Sequence, residues 1–359
     1  IRTPENGLVE FATAANICPN VNGWDFGKDI QIKEVYFLAN VSQIFVPNDQ
    51  QKGIPQNITI LPWYTFMLSH GVKPYQDLKH KDDIKGVCLT GGISTKYISK
   101  ESNEYYFSSD GSIYADKIAQ FLIWLNDITQ GHVIENLKAL FPIIYIDEVQ
   151  DLSGYDQELI KAFVDASIDV TCVGDPRQGV FITSKGNKNK KFVRSQMIDF
   201  FNSKLPQIEI DKDSLNTNYR CSADICTLSD TIFPNMSHVV SGNNEQSKRV
   251  GCYFVRQQDV DEYQEECKAM QLRYSIRSRV NNNYPTNNFG LVKGKSFDHV
   301  LIYPTEKMLD FLLNGTVIEH PEIKAKLYVA ITRARYSVGI VYDYPEDYKH
   351  KLNLIRTYK

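Results

Sequence analysis

From Phe141 onward the chain repeats one pattern, a short apolar run followed by an amphipathic segment, and this repetition restricts the fold more than any other feature. FPIIYI (Phe141 to Ile146) is continuously apolar, which predicts a strand buried on both faces of a parallel sheet. Leu152, Leu159, Ile160, Phe163 and Val164 then mark one face of a helix. IDVTCVGD (Ile168 to Asp175) reads as a second buried strand ending in a turn, and a Lys/Asn/Gly-rich linker (Ser184 to Lys191) follows. Later strands are GCYFVR (Gly251 to Arg256), QLRYSIR (Gln271 to Arg277), HVLIYPT (His299 to Thr305) and YSVGIVYD (Tyr336 to Asp343). Alternation of this kind predicts an α/β fold with mostly parallel sheets.

The first third is less regular. KEVYFLANVSQIFV (Lys33 to Val46) is a strand or helix candidate, and PWYTFMLSHGV (Pro62 to Val72) reads as a helix opened by proline. Asp77 to Asp110 is polar and reads as an irregular insertion. Ile118, Phe121, Leu122, Leu125 and Ile128 place a helix around Tyr114 to Thr129. At 359 residues the chain has room for one large or two medium domains. No apolar run reaches the roughly 18 to 20 residues of a membrane span. Seven cysteines without a CxxC pair read as thiols of a reducing cytoplasm. A net charge of −3 exerts no global pull on a polyanion, so any nucleic-acid contact must be made by local patches.

Chemistry concentrates at the strand ends, where open α/β sheets bind ligands. IIYIDEVQD ends in Asp147 and Glu148, a hard-oxygen pair suited to a divalent cation and to activation of water. The next strand ends in GDPRQGVF (Gly174 to Phe181), where the Gln178 amide can both donate and accept. LNTNYRCS (Leu215 to Ser222), GLVKGKSFDHVLIYPT (Gly290 to Thr305) and KLYVAITRARYS (Lys326 to Ser337) add Arg220, a Lys-Gly-Lys turn, Arg333 and Arg335.

In this order DEVQD, GDPRQ, NYR, VKGKSFDHV and YVAITRAR resemble motifs II to VI of the superfamily 1 helicases of UvrD/Rep type, over roughly 141–343. The resemblance implies two RecA-like (P-loop NTPase) domains, 1–204 and 205–359, with ATP bound between them. A small helical or irregular insertion falls at about 75–135 of the first, and the second has no large accessory domain, since Gly290 lies only 70 positions after Arg220. By the same resemblance Asp147 and Glu148 would hold Mg²⁺, with Glu148 also activating water. Gln178 would sense the γ-phosphate, Arg220 and Arg333 would act as arginine fingers, and Lys293 and Gly294 would help to bind ATP. Arg335 reads as structural.

Nucleic-acid contacts would come from Trp63 and Tyr64 by stacking, from Phe181 after motif III, and from Lys185, Lys188, Lys190 and Lys191 by phosphate contact. Thr183 stands near the position where these helicases carry a stacking tryptophan, Gly290 where motif V has a histidine, and Ser296 where it commonly has a glutamate. No GK[ST] phosphate loop is found: GWDFGKD (Gly23 to Asp29) lacks the spacing and the hydroxyl, and FATAAN (Phe11 to Asn16) resembles motif Ia, which would place the loop upstream of residue 1; the other reading is that the loop has been lost. The implied activity is an ATP-dependent translocase or helicase on single-stranded or partly duplex DNA, with a nuclease as a candidate partner. The alternative is a helicase-like regulatory or recruitment subunit that has lost hydrolysis.

Overall fold

A computed structural model describes residues 2–3, 7–8, 35–39, 58–346 and 354–359. The segments Phe11 to Asn16 and Gly23 to Asp29, with Cys18, lie outside the described residues, and of Lys33 to Val46 only Val35–Ala39 is described. The chain divides into two compact units: Ile1–Pro176 with Phe181–Ile208, and Arg177–Val180 with Glu209–Lys359.

In the first unit, β1 (Arg2–Thr3) and β2 (Gly7–Leu8) pair antiparallel. β3 (Val35–Ala39) and β4 (Ile58–Pro62) precede α1 (Trp63–Phe66), which runs on through a π-helical turn, Met67–Val72. Pro62 closes the strand and caps the helix, where a missing N–H breaks no helical bond. The polar stretch that follows holds only the short parallel pair β5 (Val87–Cys88) and β6 (Ile113–Tyr114). Then come α2 (Ile118–Ile128), α3 (His132–Leu140), β7 (Ile143–Asp147), α4 (Tyr155–Asp165), β8 (Asp169–Cys172) and α5 (Met197–Lys204). The main sheet is parallel throughout, in the order β4-β3-β7-β8.

Two strands differ from expectation. β7 is buried at alternate positions, Ile144 and Ile146, while Ile143 and Tyr145 are only half-buried. β8 is an edge strand among the described residues, with Asp169 exposed and the rest half-buried, so it is not the interior strand its composition suggests. The predicted helix face is present: Leu159, Ile160 and Phe163 of α4 are fully buried, and α4 packs on α2.

In the second unit, β9 (Thr217–Asn218), α6 (Ala223–Ile232) and β10 (Val240–Ser241) lead into β11 (Gly251–Val255) and α7 (Val260–Cys267). β12 (Met270–Arg273), β13 (Thr286–Asn288), β14 (Phe297–Tyr303), α8 (Glu306–Asn314), α9 (Pro321–Thr332), β15 (Ala334–Val341) and β16 (Arg356–Thr357) complete it. β12 stops before Tyr274, short of the predicted Arg277. The six strands β13-β12-β14-β15-β11-β16 are all parallel.

This sheet is covered on both faces. Cys252 and Phe254 of β11, with Val300 and Ile302 of β14, pack into a core with α6, α8 and α9. Their neighbours Tyr253, Val255, Leu301 and Tyr303 point to the opposite core with Val260, Tyr263 and Cys267 of α7. Each large apolar side chain so buried contributes about 1.5–3 kcal/mol, which is why these strands carry unbroken apolar sequence. The six cysteines among the described residues are free thiols. No described helix is long and apolar enough to cross a membrane.

Candidate functional site

The first unit puts Asp147 at the carboxyl end of β7 and Glu148 immediately beyond it, with a left-handed backbone (φ 54°). That conformation is uncommon for a residue with a side chain. It is held by Asp147, whose Oδ1 accepts from the Glu148 amide at 2.8 Å, and by Gln150, whose amide donates to Glu148 Oε2. Gln150 is 1% exposed and packs against Gly174, the first residue of the GDPRQ turn. A Cβ at Gly174 would lie 2.2 Å from Gln150 Oε1, so a larger residue there would have to displace the Gln150 side chain. Gln150 was not among the expected site residues. Its signal was its place two residues after Glu148, within side-chain reach on a tight turn (Val149–Asp151).

The second unit gathers three expected side chains around the junction of α9 and β15. Arg333 is 1% exposed there; its Nη2 donates to Gln178 Oε1 at 3.1 Å and to Thr332 Oγ1 at 3.4 Å, and its Nη1 to the Lys295 carbonyl at 3.4 Å. Arg220 Nη1 donates to the Thr332 carbonyl at 3.3 Å. Asn218 aims this segment, its Oδ1 accepting from the amides of Arg220 and Cys221 at 2.9 and 3.0 Å. Lys293 and Gly294 are the central residues of a type II turn. Lys293 has φ −57°, ψ 136°, Gly294 has φ 79°, and the Lys295 amide donates to the Val292 carbonyl at 3.0 Å. Glycine is favoured at this third position of the turn, where φ is positive. Arg335 is salt-bridged to Glu245 and Asp298, in keeping with a structural role.

The expected stacking residues separate. Phe181 is 46% exposed. Trp63 does not present a face to solvent: it is 1% exposed and its indole N–H donates to Asp156 Oδ1 at 2.7 Å. The first turn of α1 aims it at α4, so Trp63 is a core residue and the stacking role is corrected. Tyr64 is half-buried, and burial beside Asp156, Asp116 and Asp151 pushes its hydroxyl well above the usual range. Asp156 also accepts from Thr183 Oγ1, which in turn accepts from the Ser153 amide at 2.9 Å. Ser153 Oγ exchanges hydrogen bonds with the Ser184 carbonyl and amide at 2.9 and 2.8 Å. Burial raises the Asp156 carboxyl from 3.8 to about 6. Lys185, Lys188, Lys190 and Lys191 are exposed; Lys188 pairs with Glu158 at 3.3 Å, and Lys185 donates to the Gly91 carbonyl at 2.9 Å.

Parallel sheets with paired acids at a strand end and a buried arginine at a helix–strand junction make this an α/β protein with polar side chains gathered at its strand ends. The family comparison is more specific: residues 89–192, which include DEVQD and GDPRQ, match the UvrD/REP helicase N-terminal domain. The resemblance to UvrD/Rep-type superfamily 1 helicases therefore holds for that segment. Similar solved structures include the PRRSV helicase (20% identity, TM-score 0.34, covering 56% of this chain and 34% of that one). Another is arterivirus nonstructural protein 10 (helicase) in complex with DNA (16% identity, TM-score 0.33, covering 55% and 39%). The chain thus aligns with less than two fifths of either structure. No curated protein matches it.

Proposed function

We propose that this chain is the motor portion of an ATP-dependent single-stranded DNA translocase or helicase of UvrD type, built from two RecA-like domains at 1–204 and 205–359. The observation that carries the reading is the convergence of Gln178, Arg220 and Arg333 on the α9–β15 junction. Arginine with a glutamine amide at hydrogen-bond distance suits recognition of a transferring phosphoryl group.

The residues present fit ATP with Mg²⁺. Mg²⁺ needs only one or two carboxylates when phosphate and water complete its shell, and Asp147 with Glu148 supplies them; bound, it would neutralise charge on the phosphate oxygens. Glu148, steadied by Gln150, takes a proton from the attacking water. In the second unit, Gln178 would contact a phosphate oxygen, and Arg220 and Arg333 would stabilise charge on a phosphoryl group, with Lys293 and Gly294 supporting the nucleotide. Such an arginine contributes about 10³–10⁵ in rate. DNA is held by Phe181 through stacking and by Lys185, Lys188, Lys190 and Lys191 through phosphate contacts.

The test is phosphate release by the full-length protein with and without single-stranded DNA. Stimulation by DNA that is lost in Glu148→Gln is expected, with turnover reduced at least about a hundred-fold. A rate indifferent to DNA overturns the reading.

A further inference from the structure

One strongly exposed surface of the first unit is not accounted for by the residues above. Between Ile84 and Lys100 the chain has no acidic residue but carries Lys85, Lys96 and Lys100. Tyr97 is 97% exposed, and Leu89 and Ile98 are 75% and 42% exposed. An aromatic ring displayed in this way loses hydrophobic stabilisation unless something covers it. The segment is nevertheless anchored. Thr95, 6% exposed, donates its hydroxyl to the Tyr105 carbonyl at 3.1 Å, and the Ser94 amide donates to Asp116 Oδ2 at 3.3 Å. Asp116 is itself paired with Lys117 at 3.1 Å, so its charge is compensated. The five residues after Thr95 all project into solvent from this base.

A second acid-free stretch lies in the same unit. From Phe181 to Ile198 there is no Asp or Glu, while Lys185, Lys188, Lys190, Lys191 and Arg194 are present. The Lys185–Gly91 hydrogen bond joins the two stretches directly. Acids flank rather than enter these stretches: Asp82 and Asp83 precede Ile84, Glu101 and Glu104 follow Lys100, and Glu158 takes Lys188. A chain of net charge −3 has therefore concentrated cationic, aromatic-bearing segments in one place. Polyanions with stackable bases match that chemistry.

We infer that the Ile84–Lys100 segment extends the nucleic-acid surface begun by Phe181 and Lys185, with Tyr97 stacking on a base of a single strand and Lys96 and Lys100 contacting phosphates. This rests on the nucleic-acid reading above and assigns that site a second strand-contacting segment. A protein partner would be drawn by Leu89 and Ile98; the lysine spacing and the link to the basic stretch favour the single strand.

The experiment is fluorescence anisotropy of a labelled single-stranded oligodeoxynucleotide titrated with the full-length protein over a range of salt. Tyr97→Ala is expected to weaken binding between about five-fold and a hundred-fold, the loss of one base stack. Lys96→Gln with Lys100→Gln is expected to flatten the slope of log K against log salt by about 1.4, two phosphates at about 0.7 each. Melting temperatures should not move, because these side chains are exposed. Wild-type binding matched by both variants in affinity and slope overturns this inference alone. Wild-type protein that binds no oligonucleotide overturns the DNA reading and this inference together.

Discussion

Glu148 owes its position to its neighbours. Its left-handed backbone and its carboxylate are both held by neighbours, Asp147 and Gln150, and the Gln150 side chain occupies space that Gly174 leaves open. Gly174→Ala would force Gln150 away from the Glu148 carboxylate. We expect about 1–3 kcal/mol lost from overpacking, read by urea denaturation, together with slower ATP turnover. Asp147, Glu148 and Gln178 were legible from sequence because acid and amide residues at strand ends stand out against apolar runs. The burial of Arg333 was not legible. Arginine is almost always exposed unless paired, and its partners here come from segments remote in sequence: Gln178 lies 155 positions away.

At the level of elements, a buried polar network ties α1, the start of α4 and the loop after motif III to one carboxyl group, Asp156. Its raised pKa has a defined sign. The folded chain keeps a proton on Asp156 that the unfolded chain loses between 3.8 and about 6. Stability from this group is therefore present at low pH, falls as pH rises through that window, and stays lower above it. Asp156→Asn keeps an oxygen for Trp63 and an amide that can donate to Thr183. The difference in melting temperature between wild type and variant should change sharply between about pH 4 and 6 and be flat above; a difference constant across that window counts against a protonated Asp156. The strands are readable from apolar continuity, but continuity cannot say which strand ends a sheet, so IDVTCVGD reads as a buried strand although β8 lies at an edge among the described residues. Trp63 failed for a related reason. In PWYTFM, adjacent aromatics on a helix point in different directions, and composition does not reveal which one faces inward.

At the level of the whole molecule, the second unit has nearly all of its core within its own continuous stretch. Apart from Val180, every buried residue of its larger core lies between Cys221 and Ile355. A fragment comprising 209–359 is expected to unfold in a single cooperative transition by circular dichroism. A broad, non-cooperative melt would show that the residues around Val180 are needed to complete it.

The last strand of that unit has a protective consequence. β16 lies along β11 at the margin of the sheet, pairing Tyr253 with Arg356 and Phe254 with Thr357. It covers main-chain amides and carbonyls that would otherwise remain available to any passing ribbon of polypeptide. The two residues of β16 thus shield that stretch of β11, and a chain lacking them would leave it open to pairing with its own copies.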